Sequence, residues 1–294
     1  MASTIRATLY NDPACPWGYS AIPALRVLDW RYGDQLDWRL VLIGLSDDAS
    51  QYADRGFSPL LFARSQLSFR RYGMPFAPEP KARISATGRA CRAVVATRLM
   101  HPGDEWRAHR ALQLANFTSP VLLDDDAQLA VILDTVPGLD GAEIVSRLDD
   151  AEVTEAYEQD RAEARTAAGS PAELQGKTAT SDGPVRFTAP SVVFELNGQR
   201  LVAGGFQTIE AYDVVVANLD PTLTRERAPE TPEPLLRRFP EGLTTQEVAL
   251  LMTSSNDAVD RPAAEAALIE LVGNGTASRR PLGDDALWQL ADAS

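Results

Sequence analysis

Apolar positions change their spacing several times along this chain, and the changes divide it. Ile5 to Tyr10 alternates between apolar and polar residues, which predicts a half-buried strand. From Pro16 to Tyr32 the apolar residues return at helical spacing with Gly33 as the stop, and Leu36 to Leu45 is again strand-like. Pro16 suits a first helical turn, where its missing N–H costs nothing, whereas Pro23 lies deeper and is expected to kink the helix. A strand–helix–strand start predicts a right-handed crossover.

From Asp47 to Pro80 glycines and prolines punctuate a weaker pattern that holds one helix, Pro59 to Tyr72, ended by Gly73. Helical spacing then recurs over Ala82 to Met100, Glu105 to Phe117, Asp125 to Thr135, Gly141 to Arg147 and Ala151 to Ala168, so residues 58–170 read as an all-helical block. The stretch Gly169 to Gly183, rich in Ser, Thr, Gly and Pro, returns the chain to strands. Ser191 to Leu196 and Arg200 to Ala203 flank Asn197-Gly198, a hairpin signal, and Thr208 to Leu219 reads as a helix. Four prolines in residues 221–234 predict an extended linker. Beyond it Thr244 and Glu247 fit a capping box. Helices over Thr245 to Met252 and Arg261 to Asn274, a Gly275 turn and a strand ending Leu287-Trp288-Gln289-Leu290 resemble a winged-helix module.

With 294 residues and 45% apolar content the chain can bury a sizeable core. A net charge of −13 repels phosphate backbones, so nucleic acid is not an expected partner. The Arg261 to Asn274 helix carries Glu265 and Glu270, which suits protein contact better than DNA. No stretch nears the roughly 20 apolar residues of a membrane span, and no basic-then-apolar leader opens the chain, so the expected place is the cytoplasm without a membrane partner. Two cysteines are too few for a disulfide-stapled fold or a four-cysteine zinc site, and with only His101 and His109 besides no metal is expected. His101 at a helix end and His109 within a helix suit solvated or capping roles, and Asp124-Asp125-Asp126 suits an N-cap with an acidic first turn.

Chemistry concentrates at Asp12-Pro13-Ala14-Cys15-Pro16-Trp17-Gly18-Tyr19-Ser20, where strand gives way to helix. A thiol there faces the positive end of the helix dipole and is expected to be a stabilised thiolate, an inert half-buried thiol being the bland alternative. Gly18 stands where a C-x-x-C pair has its second cysteine, so a redox reading has one sulfur in this loop. Cys91, beside Ala90 and Val94 on a helix, favours core packing, with a distant resolving role as the second option. Trp17 and Tyr19 are evenly balanced between lining a groove and packing, and Ser20 reads as a helix-surface residue.

Cys15-Pro16-Trp17-Gly18-Tyr19 resembles the C-P-W-C-Y motif of the cytosolic branch of the DsbA-like thioredoxin superfamily. The likeness continues through Thr87 to Phe117 and returns at Phe187-Thr188-Ala189-Pro190-Ser191-Val192-Val193-Phe194, where Pro190 matches the family's cis-proline. It covers roughly residues 4–220 and implies an α/β fold, a thioredoxin-like domain in two parts, 1–57 and 181–220, with an all-helical insertion over 58–180, to which the residue pattern adds a linker over 221–234 and a winged-helix-like module over 235–294. It also implies that Cys15 is the nucleophile, that Pro16, Trp17, Gly18, Ala189 and Pro190 border the substrate, and that Cys91 is the candidate resolving thiol. Gly18 departs from the motif and removes the dithiol cycle. Related branches, the kappa-class glutathione transferases and 2-hydroxychromene-2-carboxylate isomerases, use a single serine at the nucleophile position, that of Cys15, and a thiol cofactor. The expected activity is therefore monothiol thiol–disulfide exchange on a disulfide or small-molecule substrate, with a low-molecular-weight thiol of glutathione or mycothiol type as co-substrate. A thiol-cofactor-dependent transferase or cis–trans isomerase, and a catalytically inactive binding scaffold, are the alternatives; a homodimer stays open.

Overall fold

The strand Ile5–Asn11 uses both of its edges, which makes it the centre of the main sheet. It pairs in parallel with Leu36–Leu42 and antiparallel with Ser191–Leu196, which in turn pairs antiparallel with Gln199–Ala203. The computed structural model describes residues 4–181, 183–254 and 257–291. The last two strands of the sheet are joined by Asn197 and Gly198 at φ 50° and 83°, the pair of positive angles that a tight two-residue hairpin requires.

Strand alternation gives the sheet two apolar faces. Ala7, Leu9, Leu40, Val192 and Phe194 enter the main core with the helices Ile22–Tyr32, Gly88–Met100 and Ile209–Leu219. On the other face Tyr10, Val41, Ile43 and Val193 join Phe187, Ala164, Ala167 and Ala172 in a second cluster, which also holds Cys15. Tyr10 stacks on Phe187 with centroids 4.5 Å apart.

Between the second and third strands of the main sheet the helices Pro59–Phe69, Gly88–Met100, Glu105–Thr118, Asp126–Leu133, Gly141–Ser146 and Ala151–Ala164 follow one another. Ser58, Asp125 and Asp140 cap three of them by accepting the N–H three residues ahead. Asp124 does something else, accepting from Arg83 and from the Ala86 N–H. The helix expected from Ala82 starts only at Gly88, because the segment before it is tied to Asp124 and to the Ser46 carbonyl.

Two other expectations change. The helix expected over 16–32 breaks at Ala21 into Pro16–Ser20 and Ile22–Tyr32, so Pro23 occupies a first turn, where no backbone donor is needed, instead of kinking a continuous helix. The proline-rich 221–234 segment is strapped to the Ile22–Tyr32 helix: Glu226 N–H donates to Arg31 O at 2.8 Å and Trp30 Nε1 donates to Arg227 O at 2.8 Å.

The C-terminal part carries the helices Glu233–Arg238, Thr245–Leu251 and Arg261–Gly273 and a three-stranded antiparallel sheet in the order Leu243–Thr244, Asp285–Leu290, Ala277–Leu282. The Thr244–Glu247 capping box forms as its spacing predicts. Glu247 also reaches the helical block, taking Arg110 Nη1 at 2.7 Å and Nη2 at 2.8 Å. Among the described residues no helix is long and apolar enough to cross a membrane.

Candidate active site

The loop after the first strand is built around Asp12. Its Oδ1 accepts from Ala14 N–H at 2.9 Å and its Oδ2 from Leu45 N–H at 2.9 Å, Thr87 Oγ1 at 3.1 Å and Cys91 Sγ at 3.5 Å. The Asp12 carbonyl accepts Cys15 N–H at 3.1 Å. This fully buried carboxyl thus fixes the turn that delivers Cys15 to the start of the Pro16–Ser20 helix. Burial raises the Asp12 carboxyl above its ordinary range, opposed by those same donors.

Cys15 is the N-cap residue of that helix, and its Sγ donates to the Ala189 carbonyl at 3.2 Å. The Ala189-Pro190 bond is cis, as the resemblance implies, and it turns that carbonyl beside the sulfur. Cys15, Pro16, Trp17, Gly18, Ala189 and Pro190 therefore meet at one place although 174 residues separate Cys15 from Ala189.

The resting charge differs from the sequence expectation. Burial pushes the Cys15 thiol up to about 12; the Gly18 and Trp17 N–H groups pull it down, while the Asp12 carboxylate works with burial. A five-residue helix supplies donors, yet these do not offset the loss of water, so the resting sulfur is a thiol and not the expected thiolate.

Gly18 has a packing reason as well as a chemical consequence. A Cβ at this position would stand 2.0 Å from Asn11 Oδ1, and that oxygen is already engaged by Asp12 N–H at 2.9 Å. The place of a second loop cysteine is filled by Asn11. Gly18→Cys is expected to lower stability by about 1–3 kcal/mol through overpacking, and Gly18→Cys with Asn11→Gly to recover most of that loss. Urea denaturation of both variants measures this, and equal stability of Gly18→Cys and the parent would contradict it.

The other candidates separate. Cys91 is fully buried in the main core with its Sγ on Asp12, and both cysteines are free thiols. Trp17 is 38% exposed, and its ring meets Phe69, Tyr72 and Phe206 at 4.9, 5.6 and 5.5 Å, an aromatic rim beside the sulfur. Tyr19 is packing: it is fully buried, stacks on Phe117 and donates to Pro75 O at 2.8 Å. Ser20 and His109, expected at the surface, are both buried. The helix faces carrying them are covered by neighbours distant in sequence, which periodicity alone does not identify. Asn11, and Asp12 beyond its place at the start of the loop motif, carry no distinctive sequence signal, since Asx residues before a turn are ordinary; their spacing of four and three before Cys15 is the available one. Among the described residues no group of three or more His, Cys, Asp or Glu side chains could hold a metal ion.

A sheet with one parallel and two antiparallel pairings, a cysteine opening a helix and a cis-proline facing its sulfur together define a thioredoxin-fold protein with a single-cysteine loop. The chain belongs to the family of the DSBA-like thioredoxin domain, whose model matches residues 7–182. Members of this thiol–disulfide oxidoreductase family include oxidoreductases and isomerases. No curated protein matches the chain. Among solved structures it is similar to a Nitrosomonas europaea protein described as a candidate protein disulfide isomerase, with 18% identity, 73% of this chain and 97% of that chain covered, and a TM-score of 0.55. It is similar to a candidate DsbA oxidoreductase from Streptomyces coelicolor, with 17% identity, coverage of 75% and 92%, and a TM-score of 0.54. The cytosolic disulfide reductase DsbM from Pseudomonas aeruginosa shares 16% identity over 73% of this chain and 99% of that one, with a TM-score of 0.51. At such identities the likeness speaks to the fold.

Proposed function

We propose that this chain is a cytoplasmic thiol–disulfide oxidoreductase that works through Cys15 alone, with a small thiol of glutathione type as co-substrate. The observation that carries the reading is the hydrogen bond from Cys15 Sγ to the carbonyl before the cis-proline. That carbonyl stabilises the neutral thiol. When a substrate N–H takes it over, the sulfur is left to the Gly18 and Trp17 N–H groups, which favour the thiolate. The Cys15 thiolate then attacks one sulfur of a disulfide, forming a mixed disulfide and expelling the other sulfur as a thiolate. A second thiolate, from the small thiol, attacks the substrate-derived sulfur and returns Cys15 as thiolate, which takes up a proton. Pro16, Trp17 and Gly18 border the substrate on one side, Ala189 and Pro190 on the other, and the aromatic rim around Trp17 receives apolar parts of it. A structure of the DsbM neighbour with GSH supports a small thiol of this kind.

Treated with oxidised glutathione, the protein is expected to acquire one glutathione, located on Cys15 by peptide mass mapping. A Cys15–Cys91 bridge would place Cys91 as the resolving thiol and overturn the monothiol route; no adduct would overturn the role of Cys15. In the free protein the alkylation rate of Cys15 is expected to climb steadily from pH 7 to 10, because the thiol's proton is lost only towards about 12. A midpoint near pH 8.5 with the rate levelling off by pH 10, as for an ordinary cysteine of pKa about 8.5, would contradict the stabilised neutral thiol.

The protonated resting sulfur favours one second reading. In it a bound thiol cofactor supplies the reactive sulfur for a transferase or cis–trans isomerase reaction, and Cys15 only shapes the pocket. We further infer that residues 235–294 act as a winged-helix-like module for protein contact rather than DNA binding, a reading supported by its docking through Glu247 and by Glu265 and Glu270 on its longest helix.

A further inference from the structure

We propose that the outer face of the Pro59–Phe69 helix docks onto a second copy of this chain, and that the face it meets there is that of the Arg261–Gly273 helix. Large exposed apolar side chains gather on these two helices. Leu60, Leu61 and Leu67 are 49%, 45% and 51% exposed on the first, and Ile269 and Val272 are 55% and 37% exposed on the second. Among the described residues no other helix or strand holds more than one such side chain. Scattered singly they are ordinary; grouped on a helix face they mark an interaction surface.

What selects a second copy is charge. Leu60, Arg64, Leu67 and Arg71 follow one another at spacings of four, three and four, so apolar and basic side chains share one stripe along the helix and the turn Arg70–Tyr72 after it. Neither element carries a carboxylate. On the Arg261–Gly273 helix Glu265, Ile269 and Val272 follow at spacings of four and three, and Glu270 flanks Ile269 on its other side. The remaining charges of these elements are paired within the chain, Arg70 with Asp284 at 2.9 Å and Arg261 with Asp285 at 2.8 Å. Among the described residues Arg64, Arg71, Glu265 and Glu270 have no ion-pair partner. One helix thus offers leucine with unpaired arginine, and the other isoleucine and valine with unpaired glutamate. Packing the two together takes both apolar stripes out of water, while the opposite charges fix the register.

A two-fold axis sets the first helix of each copy on the second helix of the other, so the contact occurs twice and the assembly closes as a dimer. The proposal rests on the reading of residues 235–294 as a protein-contact module, whose partner it names, and not on the chemistry of Cys15. Phe69, which meets Trp17 at 4.9 Å, lies on the opposite face of its helix from the Leu60–Arg71 stripe, so docking leaves the rim beside the sulfur open.

Sedimentation velocity of the full chain is expected to show a dimer of twice the 31.9 kDa chain mass, with a dissociation constant of about 1–50 μM for a contact of this modest size. Arg64→Glu with Arg71→Glu makes both faces acidic, and Glu265→Arg with Glu270→Arg makes both basic. Each double variant alone is expected to associate at least about tenfold more weakly than the parent, because like charges then meet. Thermal melting within a few degrees of the parent checks that both stay folded. An equal mixture of the two variants sets an acidic first helix on a basic second helix and the reverse, and is expected to restore the dimer to the parent's affinity. Self-association of either variant as tight as the parent's, a mixture that stays monomeric, or growth beyond a dimer would each overturn the proposal. A parent that stays monomeric up to about 100 μM would overturn it as well, while leaving protein contact by residues 235–294 to a different chain.

Discussion

Cys15→Ser is expected to reduce glutathione-dependent reduction of a small disulfide, such as hydroxyethyl disulfide, to the rate of the free thiol alone. A serine hydroxyl can still donate to the Ala189 carbonyl that Cys15 Sγ reaches at 3.2 Å, so the loop and the cis-proline keep their contact. What it lacks is a sulfur able to form the mixed disulfide. The loss therefore belongs to chemistry and not to folding, and unchanged thermal melting of the variant checks that separation. Activity retained above the rate of the free thiol would remove Cys15 as the attacking sulfur and leave that role to the bound thiol, the transferase or isomerase reading.

Glu247→Ala is expected to cost about 3–5 kcal/mol, the effect of removing one partner from a buried ion pair. The Glu247 carboxylate is completely buried and accepts from both Nη atoms of Arg110, from Thr244 N–H at 2.8 Å and from Thr244 Oγ1 at 2.9 Å, with Arg26 Nε at 3.5 Å. Burial acts to raise its carboxyl, but Arg110, Arg26 and the Thr244 N–H outweigh burial and hold it below the ordinary glutamate range. Deleting it leaves Arg110 buried without its counter-charge and removes half of the Thr244 capping box. The damage is shared by three elements, because Arg110 lies on the Glu105–Thr118 helix, Arg26 on the Ile22–Tyr32 helix and Glu247 in the C-terminal part. Replacing both ends, Arg110→Met with Glu247→Leu, is expected to cost far less than Glu247→Ala, since no lone charge then stays buried. Since the folded carboxyl is depressed, its stabilisation is present above the unfolded value of about 4.3 and is lost as pH falls below it towards the folded value. Urea denaturation from pH 7 down to pH 3 reads both effects. A loss below about 1 kcal/mol at pH 7, the level of an exposed pair, would contradict the buried network.

The features legible in the sequence are those whose causes lie within a few residues. The Asn197-Gly198 hairpin follows from two residues that tolerate positive φ, the Thr244–Glu247 box from a spacing of three, and the Asp125 cap from a carboxylate ahead of an apolar helix. Cys15 stood out for the same reason, lying where an alternating pattern becomes a helical one. The elements that were missed are short or fixed from outside. The two-residue strands Thr178–Ala179 and Arg186–Phe187 carry no period, and the break at Ala21 and the late start at Gly88 depend on what the neighbouring segments bond to.

The sequence by itself determined that one sulfur would open a helix, that Gly18 would leave it without a partner in the loop, and that a proline would begin a distant strand. Only the tertiary structure decided the state of that sulfur. Its proton is held by a carbonyl 174 residues away, its charge is opposed by burial and by Asp12, and the empty second position is closed by Asn11. Ser20, His109 and Gln113 are buried by the same long-range packing. Helix entry and turn propensity act over a few bonds and can be read along a chain, whereas desolvation and hydrogen-bond satisfaction are sums over neighbours that come together only when the sheet closes.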